Sequence, residues 1–589
     1  MGLLKKGCIM CLMTIACVSC NSTKQTAMSA KDQDLLNLTI KNSVLAFSAD
    51  PRLAEAEAQL QMQVPKNLQH ALSFYQQQYK DMGVHDYESL QKIGFKILKE
   101  AIFQEDVEAQ LLSLYGVDLA KHPKLMPVLE QALESPYNLV QMTAIQTLSK
   151  LPDDRANKLL IKGCSSPFLD VALTTTYILA ERRHPEVFGL LESLMSKAPP
   201  ECTEFFPGLL ALIDNKQATA KLRKLMNHPD ERVRSASIIA AGGSRRTELI
   251  SDIRALSKQH NIYLQEACAY ALGELHDEAS IPTLQQIADS NSESASLAAL
   301  NALRKLGLES STAKIEKYAQ NGNLFAIGLL NDCACDADLL ISLANQNKNK
   351  NAALNATLVL LQKKDPRCLA KIISLLSATD PNIVISEFPS AAMTLSAKKI
   401  GYKSSARTQE NFGLEQMSFA IRQKILSDCT ELPEHAFLKV AKAIVQADQN
   451  DLIPAVINHL IVMKTSNAKE LLKDWQQKVG SPYVRAWSNL ALLKLNEPGP
   501  WKEDVLSWIK KRKYHRLVRL KDFAQMHKKK PINPFEINPM ETSQLLLESY
   551  LAIAQTQDDE AIDVILDSLT NNELKNRYAI AGILILSSQ

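Results

Sequence analysis

Asn138-Leu139-Val140-Gln141-Met142-Thr143-Ala144-Ile145-Gln146-Thr147-Leu148 is the stretch on which the fold turns. Val140, Ala144 and Leu148 stand at i, i+4 and i+8, which is one face of a helix. A step of 31 residues returns the pattern as Val171, Thr175 and Leu179. Further steps give Cys202, Phe206, Leu210; Val233, Ser237, Ala241; Leu264, Cys268, Leu272; Ala295, Ala299, Leu303; and Ala326, Leu330, Ala334. One step backward gives Ala109, Ser113 and Val117, so eight copies keep register without a gap. A repeat of this length is a supersecondary unit that cannot bury its apolar stripe alone, and stacking gives the copies a common core.

A second stripe fixes the unit as two helices. Twenty residues after the first seven reference positions lie Leu129, Leu160, Leu191, Leu222, Ile253, Leu284 and Ile315, all apolar. Pro152-Asp153-Asp154, His184-Pro185, Gly242-Gly243 and His276-Asp277 read as the breakers between helices. The small middle residues let neighbouring helices approach closely. Pro229-Asp230-Glu231-Arg232-Val233-Arg234-Ser235-Ala236 and Ala269-Tyr270-Ala271-Leu272-Gly273-Glu274-Leu275 resemble the first-helix pattern of HEAT repeats, in particular the short bacterial HEAT-like type. The resemblance spans about residues 100–375. It implies an all-α fold, an α-solenoid of stacked antiparallel helix pairs, and specifies fold far better than function.

The rest of the chain is organised around that array, expected over residues 109–378. Residues 35–108 look helical without clear register and read as an N-terminal cap. After Ala326 the register slips by four, to Ala353, Thr357 and Leu361. Over 379–416 the periodicity fails, with Pro381 and Pro389, as in an irregular insert or linker. Helical units resume over 417–527, at Ala436, Val440, Ile444 with Val456, and at Val484, Ser488, Leu492. A Pro-containing linker, 528–539, precedes the last helices, 540–589.

The first residues read as an export signal. Lys5 and Lys6 form a basic start, and Gly7 to Ala16 is an uncharged, largely apolar run too short to span a bilayer. Residues 1–20 resemble a bacterial lipoprotein signal, and 21–34 a polar tether. Two lipidation positions compete, Cys17 after Thr14-Ile15-Ala16 and Cys20 after Cys17-Val18-Ser19. Neither carries the leucine usual three residues earlier. The resemblance implies a chain anchored to the membrane of the bacterial cell envelope, facing the periplasm, and not one spanning it. Seven later cysteines, at irregular spacings, read as small buried apolar side chains, Cys202 and Cys268 among them.

Signatures of chemistry are sparse. Gly-x-Gly, Gly-x-x-x-x-Gly-Lys-Ser/Thr, His-Glu-x-x-His and Gly-x-Ser-x-Gly do not occur, and the eleven histidines are dispersed. The expectation is a non-enzymatic chain without metal or cofactor. One feature stands apart. Between Lys510 and Lys530 ten Lys or Arg face one acid, a net +9 in a chain whose total is +3, so the remainder carries −6. Lys510, Lys511, Arg512, Lys513, Arg516 and Arg519 are the candidate anion-binding residues, with Trp501, Trp508, Tyr514 and Phe523 in or beside the run. Behind an export signal the fitting ligand is anionic lipid or an acidic envelope partner, and nucleic acid is not expected. The reading is therefore a membrane-tethered scaffold for protein partners, with anion binding through residues 510–530 as the alternative.

Overall fold

The computed structural model describes residues 85–259, 261–333, 337–346, 349–378, 421–518, 539–570 and 573–589, with Leu72, Tyr75 and Phe419. All regular elements among them are helical. Helix α1 (Tyr87–Ile102) is followed by nine pairs. These are α2 (Val107–Ala120) and α3 (Met126–Leu133), α4 (Asn138–Ser149) and α5 (Asp154–Gly163), and α6 (Leu169–Glu181) and α7 (Val187–Lys197). Next come α8 (Phe206–Leu212) and α9 (Lys216–Leu225), α10 (Glu231–Gly243) and α11 (Ile250–Ser257), and α12 (Ile262–Glu274) and α13 (Ile281–Ala288). The series ends with α14 (Glu293–Lys305) and α15 (Ser310–Gln320), α16 (Leu324–Leu329) and α17 (Ala337–Ala344), and α18 (Lys350–Gln362) and α19 (Leu369–Leu376). Beyond them lie α20 (Glu434–Gln446), α21 (Ile453–Met463), α22 (Ser466–Lys478), α23 (Pro482–Lys494), α24 (Trp501–Arg512), α25 (Pro539–Ala554), α26 (Asp559–Thr570) and α27 (Asn576–Ser587).

The 31-residue columns are buried. Val140, Val171, Val233 and Leu264 occupy equivalent core positions on successive first helices, and all seven residues of the second stripe lie in the core. Leu284→Ala is expected to lower stability by about 2–5 kcal/mol, as for a large-to-small change at a fully enclosed site, measured as a shift of the denaturation midpoint. Several of the first helices stop in the same way. Arg183, Arg245 and His276 take positive φ (55°, 54° and 53°), and Gly307 takes 87° at the next step. The amide after each reaches back to close the turn, as His184 to the carbonyl of Leu179 (2.9 Å) and Asp277 to that of Leu272 (3.1 Å).

Two expectations are corrected here. Gly242-Gly243 does not break the helix but forms the last turn of α10. A Cβ on Gly242 would lie 2.5 Å from the Cα of Ala271, so the glycine serves helix-to-helix approach, repeated where Gly273 meets Ala302. Cys202 is partly exposed and not a core residue. It sits in a 3-10 turn (Pro200–Phe205), because Pro199-Pro200 holds the chain extended and delays α8 to Phe206.

The same tight joint buries a carboxyl. Glu266 of α12, beside Ser294 of α14, is 4% exposed, and burial pushes its pKa from the ordinary 4.5 up to about 7. A raised folded pKa means that stability is lost as pH climbs from about 4.5 to about 7 and stays lost above. Glu266→Gln is expected to match the parent near pH 4 and to exceed it by about 3 kcal/mol near pH 8. Denaturation midpoints at the two pH values would measure the difference.

The helices stand in two rows, and the rows close. The first helices α2 to α18 pack side by side, and α3 to α19 follow them as a second row. At α19 the order reverses. Lys364, after α18, pairs with Glu431, before α20, at 2.9 Å, and Gln449, after α20, donates to the carbonyl of Ala378, after α19. Helix α20 therefore runs parallel to α19 in the second row, and α21, α23, α25 and α27 continue the first. Helix α27 then packs against α1 and α2. Its polarity matches α2, since Lys575 pairs with Glu108 at one end and Gln589 donates to the carbonyl of Ala120 at the other (2.8 Å). The array is a ring of helices with a seam between α27 and α1–α2.

Candidate interaction surface

The seam decides what the basic run is. Cys17, Cys20 and Arg519 lie outside the described residues. Lys513 pairs with Asp567 at 2.7 Å and Lys510 stands 3.8 Å from Glu560, while Lys502 in the same helix pairs with Asp558 at 3.0 Å. Asp558 immediately precedes α26, Glu560 lies in its first turn and Asp567 in its last, and α26 packs on α24. Arg516 is bound by Glu108 of α2, which also takes Lys575. The segment around it is fixed by Asn576, whose Oδ1 accepts from the Leu517 amide (2.7 Å) and whose Nδ2 donates to the carbonyl of His515 (2.8 Å). Arg512 lays its guanidinium 3.5 Å over the Trp508 ring, and burial holds its pKa below the ordinary arginine value. Lys511 is exposed. Of the five described candidates, three (Lys510, Lys513 and Arg516) are countered by carboxylates brought from α2 and α26.

The residues that do stand together were not singled out by the apolar columns. Take the rim at which the first-row helices begin and the second-row helices end. Eight large apolar side chains are strongly exposed among the described residues, and six of them (Phe103, Tyr137, Leu139, Ile262, Tyr263 and Tyr514) are on this rim. Tyr87 and Val462 are on the other. A concentration of this kind marks an interaction surface more than scattered apolar residues do.

Two consecutive loops of that rim are built alike and are tied by side-chain hydrogen bonds to the loop before them. Ser135-Pro136-Tyr137 precedes α4, and Ser166-Pro167-Phe168 precedes α6, one repeat later. Gln110 Nε2 donates to the carbonyl of Gln104 (2.7 Å), and Ser135 Oγ donates to Gln110 Oε1 (3.2 Å). Gln141 Nε2 donates to the carbonyl of Ser135 (2.7 Å), and Ser166 Oγ donates to Gln141 Oε1 (2.6 Å). Within each loop the serine Oγ also accepts from the aromatic residue's own amide, at 3.3 Å for Tyr137 and 3.1 Å for Phe168. Gln110, Gln141 and Ser135 are buried, so the ladder is shielded from water and fixes the loops before any partner arrives. The recurrence of Ser-Pro-aromatic and of Gln at the 31-residue step is the sequence signal that would have found it.

Five of the six described cysteines are buried. The six described cysteines are thiols, and burial pushes that of Cys164 up to about 11. Among the described residues no three His, Cys, Asp or Glu side chains are placed to hold a metal ion, and no helix is long and apolar enough to cross a membrane. At the opposite rim a cleft of 240 Å³ is lined by Val117, Asp118, His122 and Lys150, with Asp118 and Lys150 ion-paired at 2.7 Å.

Architecture and repeat together define an α-solenoid, an all-helical scaffold of stacked pairs. One of its repeats, residues 264–290, matches the PBS lyase HEAT-like repeat. No curated protein matches the sequence. Among solved structures the chain is similar to importin beta (12% identity over 85% of this chain and 80% of that one, TM-score 0.32). It is similar also to UNC-45 from Drosophila melanogaster (11% identity, 94% of this chain and 88% of that one, TM-score 0.32). A third likeness is to the CpcE–CpcF complex of phycocyanin lyase from Nostoc sp. PCC7120 (16% identity, 40% of this chain and 87% of that one, TM-score 0.24).

Proposed function

We propose that this chain is a non-enzymatic scaffold of the bacterial cell envelope, tethered through a lipid on Cys17 or Cys20 and facing the periplasm, that holds protein partners on its helical array. The observation that carries the reading is the double row of helices with most of its exposed aromatic side chains collected on one rim. A rigid array of this kind presents a long surface at little ordering cost, which suits extended recognition better than catalysis. The tether supplies location, since two or more acyl chains on one cysteine hold a protein stably at a membrane and leave the body in water.

Metabolic labelling with a fatty-acid probe, followed by membrane fractionation, tests the tether. The parent is expected to be labelled and membrane-bound. Cys17→Ala/Cys20→Ala is expected to lose the label and move to the soluble fraction. A double variant that stays on the membrane would refute lipid anchoring. In-cell photo-cross-linking from positions around the ring tests the scaffold role, and a chain that cross-links to no protein from any position would refute it.

A further inference from the structure

We infer that the rim loops 103–106, 134–139 and 165–170 form a docking surface for a basic amphipathic helix of a partner protein; this deepens the scaffold reading and rests on it. Three observations converge on one occupant.

The first is apolar area in a fixed place. Phe103, Tyr137 and Leu139 are 61%, 42% and 41% exposed, and Phe168 and Leu169 are half-buried one repeat further on. Aromatic side chains held by rigid loops are the groups that carry most binding energy when a partner covers them. The Gln–Ser ladder from Gln104 to Ser166 supplies that rigidity.

The second is spacing. Each loop opens one first-row helix, and neighbouring helices in a packed row lie about 8–10 Å apart. Seven residues of an α-helix rise about 10.5 Å. A helix laid along the rim, with an apolar side chain at every seventh position, meets Phe103, then Tyr137 and Leu139, then Phe168 and Leu169 in turn. An extended strand places same-face side chains about 6–7 Å apart and falls out of step after one repeat.

The third is charge. The loops carry Glu105, Asp106, Glu134 and Asp170 and neither Lys nor Arg. Anionic lipid, phosphate and acidic peptide are therefore poor ligands for them, and Lys or Arg flanking the apolar stripe of a helix is the complement. Asp106 also accepts from the Glu108 amide (2.9 Å) and Asp170 from Asn138 Nδ2 (2.7 Å), so two of the carboxylates are held at the rim and do not sweep through solvent.

The test uses the full chain and three synthetic 22-residue peptides, about three heptads long. One has Leu at every seventh position within an amphipathic stripe and Lys on its flanks. The second has the same composition scrambled, and the third has Glu for every Lys. Fluorescence anisotropy at low salt is expected to show binding of the first alone, weakened by added salt. Phe103→Ala/Tyr137→Ala/Leu139→Ala should weaken it about tenfold or more. Ile262→Ala/Tyr263→Ala, on the same rim but remote from these loops, should leave it unchanged. All the substituted side chains lie outside the core, at 41–61% exposed, and circular dichroism would confirm that both variants stay folded. Equal binding of the scrambled or acidic peptide would overturn the inference, as would a triple variant that binds like the parent. If that happens while cross-linking elsewhere on the ring still captures discrete proteins, the scaffold reading survives and only the rim assignment falls. If no position on the ring captures a protein, both fall.

Discussion

Gly582→Leu is expected to open the seam and to cost more stability than any conventional core substitution in this chain. A Cβ at Gly582 would stand 2.2 Å from the carbonyl oxygen of Gly116 and 2.8 Å from its Cα. Both contacts are with the backbone of Gly116, so no rotamer change relieves them. Overpacking a core ordinarily costs about 1–3 kcal/mol because side chains shift aside, and here α27 itself must move. The joint is glycine-lined from both sides. A Cβ on Gly116 would lie 2.4 Å from the carbonyl oxygen of Tyr578, and one on Gly94 would lie 2.6 Å from Ile585. The expected result is a large drop in the denaturation midpoint, with faster amide exchange in α1, α2 and α27 before the remaining helices follow. Gly189→Ala is the control: it lies within α7, nothing stands within 4 Å of its Cβ site, and relief of glycine's backbone entropy should add about 0.5–1 kcal/mol. If Gly582→Leu melted like the parent, α27 would not be packed against α1 and α2.

The contrast between these two glycines shows what the sequence could and could not disclose. The 31-residue columns were legible because every repeat solves the same packing problem, so Val140 and Leu264 announce each other. The seam solves a problem posed once. Glu108 and Lys575 are 467 residues apart, and no periodicity links them. Local propensity misled at Gly242-Gly243, where the entropic cost of glycine in a helix is outweighed by the close approach of Ala271. It was silent at the turns, where Arg183, Arg245 and His276 adopt a conformation usually left to glycine because the closing hydrogen bonds over-determine it. The rim was half legible. Its Ser-Pro-aromatic recurrence obeys the repeat step, but exposed columns carry no hydrophobic signal and are passed over by a search for cores. The reversal of row order at α19–α20 was beyond reach, since Ala436, Val440 and Ile444 keep the same i, i+4, i+8 spacing in either row.

The basic run is the clearest case of a linear reading altered by three dimensions, and Glu108 is where it can be tested. Its carboxylate is 10% exposed and binds both Arg516 and Lys575, whose side chains are 23% and 15% exposed. Removing it leaves two cations enclosed side by side at the seam. A largely buried charge stripped of its partner typically costs about 3–5 kcal/mol, whereas replacing the whole group by apolar residues is often close to neutral. Glu108→Gln is therefore expected to destabilise by about 3 kcal/mol or more, with the loss reported first by α2 and α27. Glu108→Gln/Arg516→Met/Lys575→Met should recover most of that loss, because the two cations that Glu108 countered are removed with it. Denaturant titration of the parent and the two variants measures the effect. Recovery in the triple variant would show that Arg516 owes its place to the seam and that its charge is spent inside the molecule. A triple variant as unstable as Glu108→Gln would show instead that Arg516 and Lys575 hold the seam by packing or by partners other than Glu108. If Glu108→Gln alone were neutral, the carboxylate would not be the counterion, and Arg516 would again be available to an external anion.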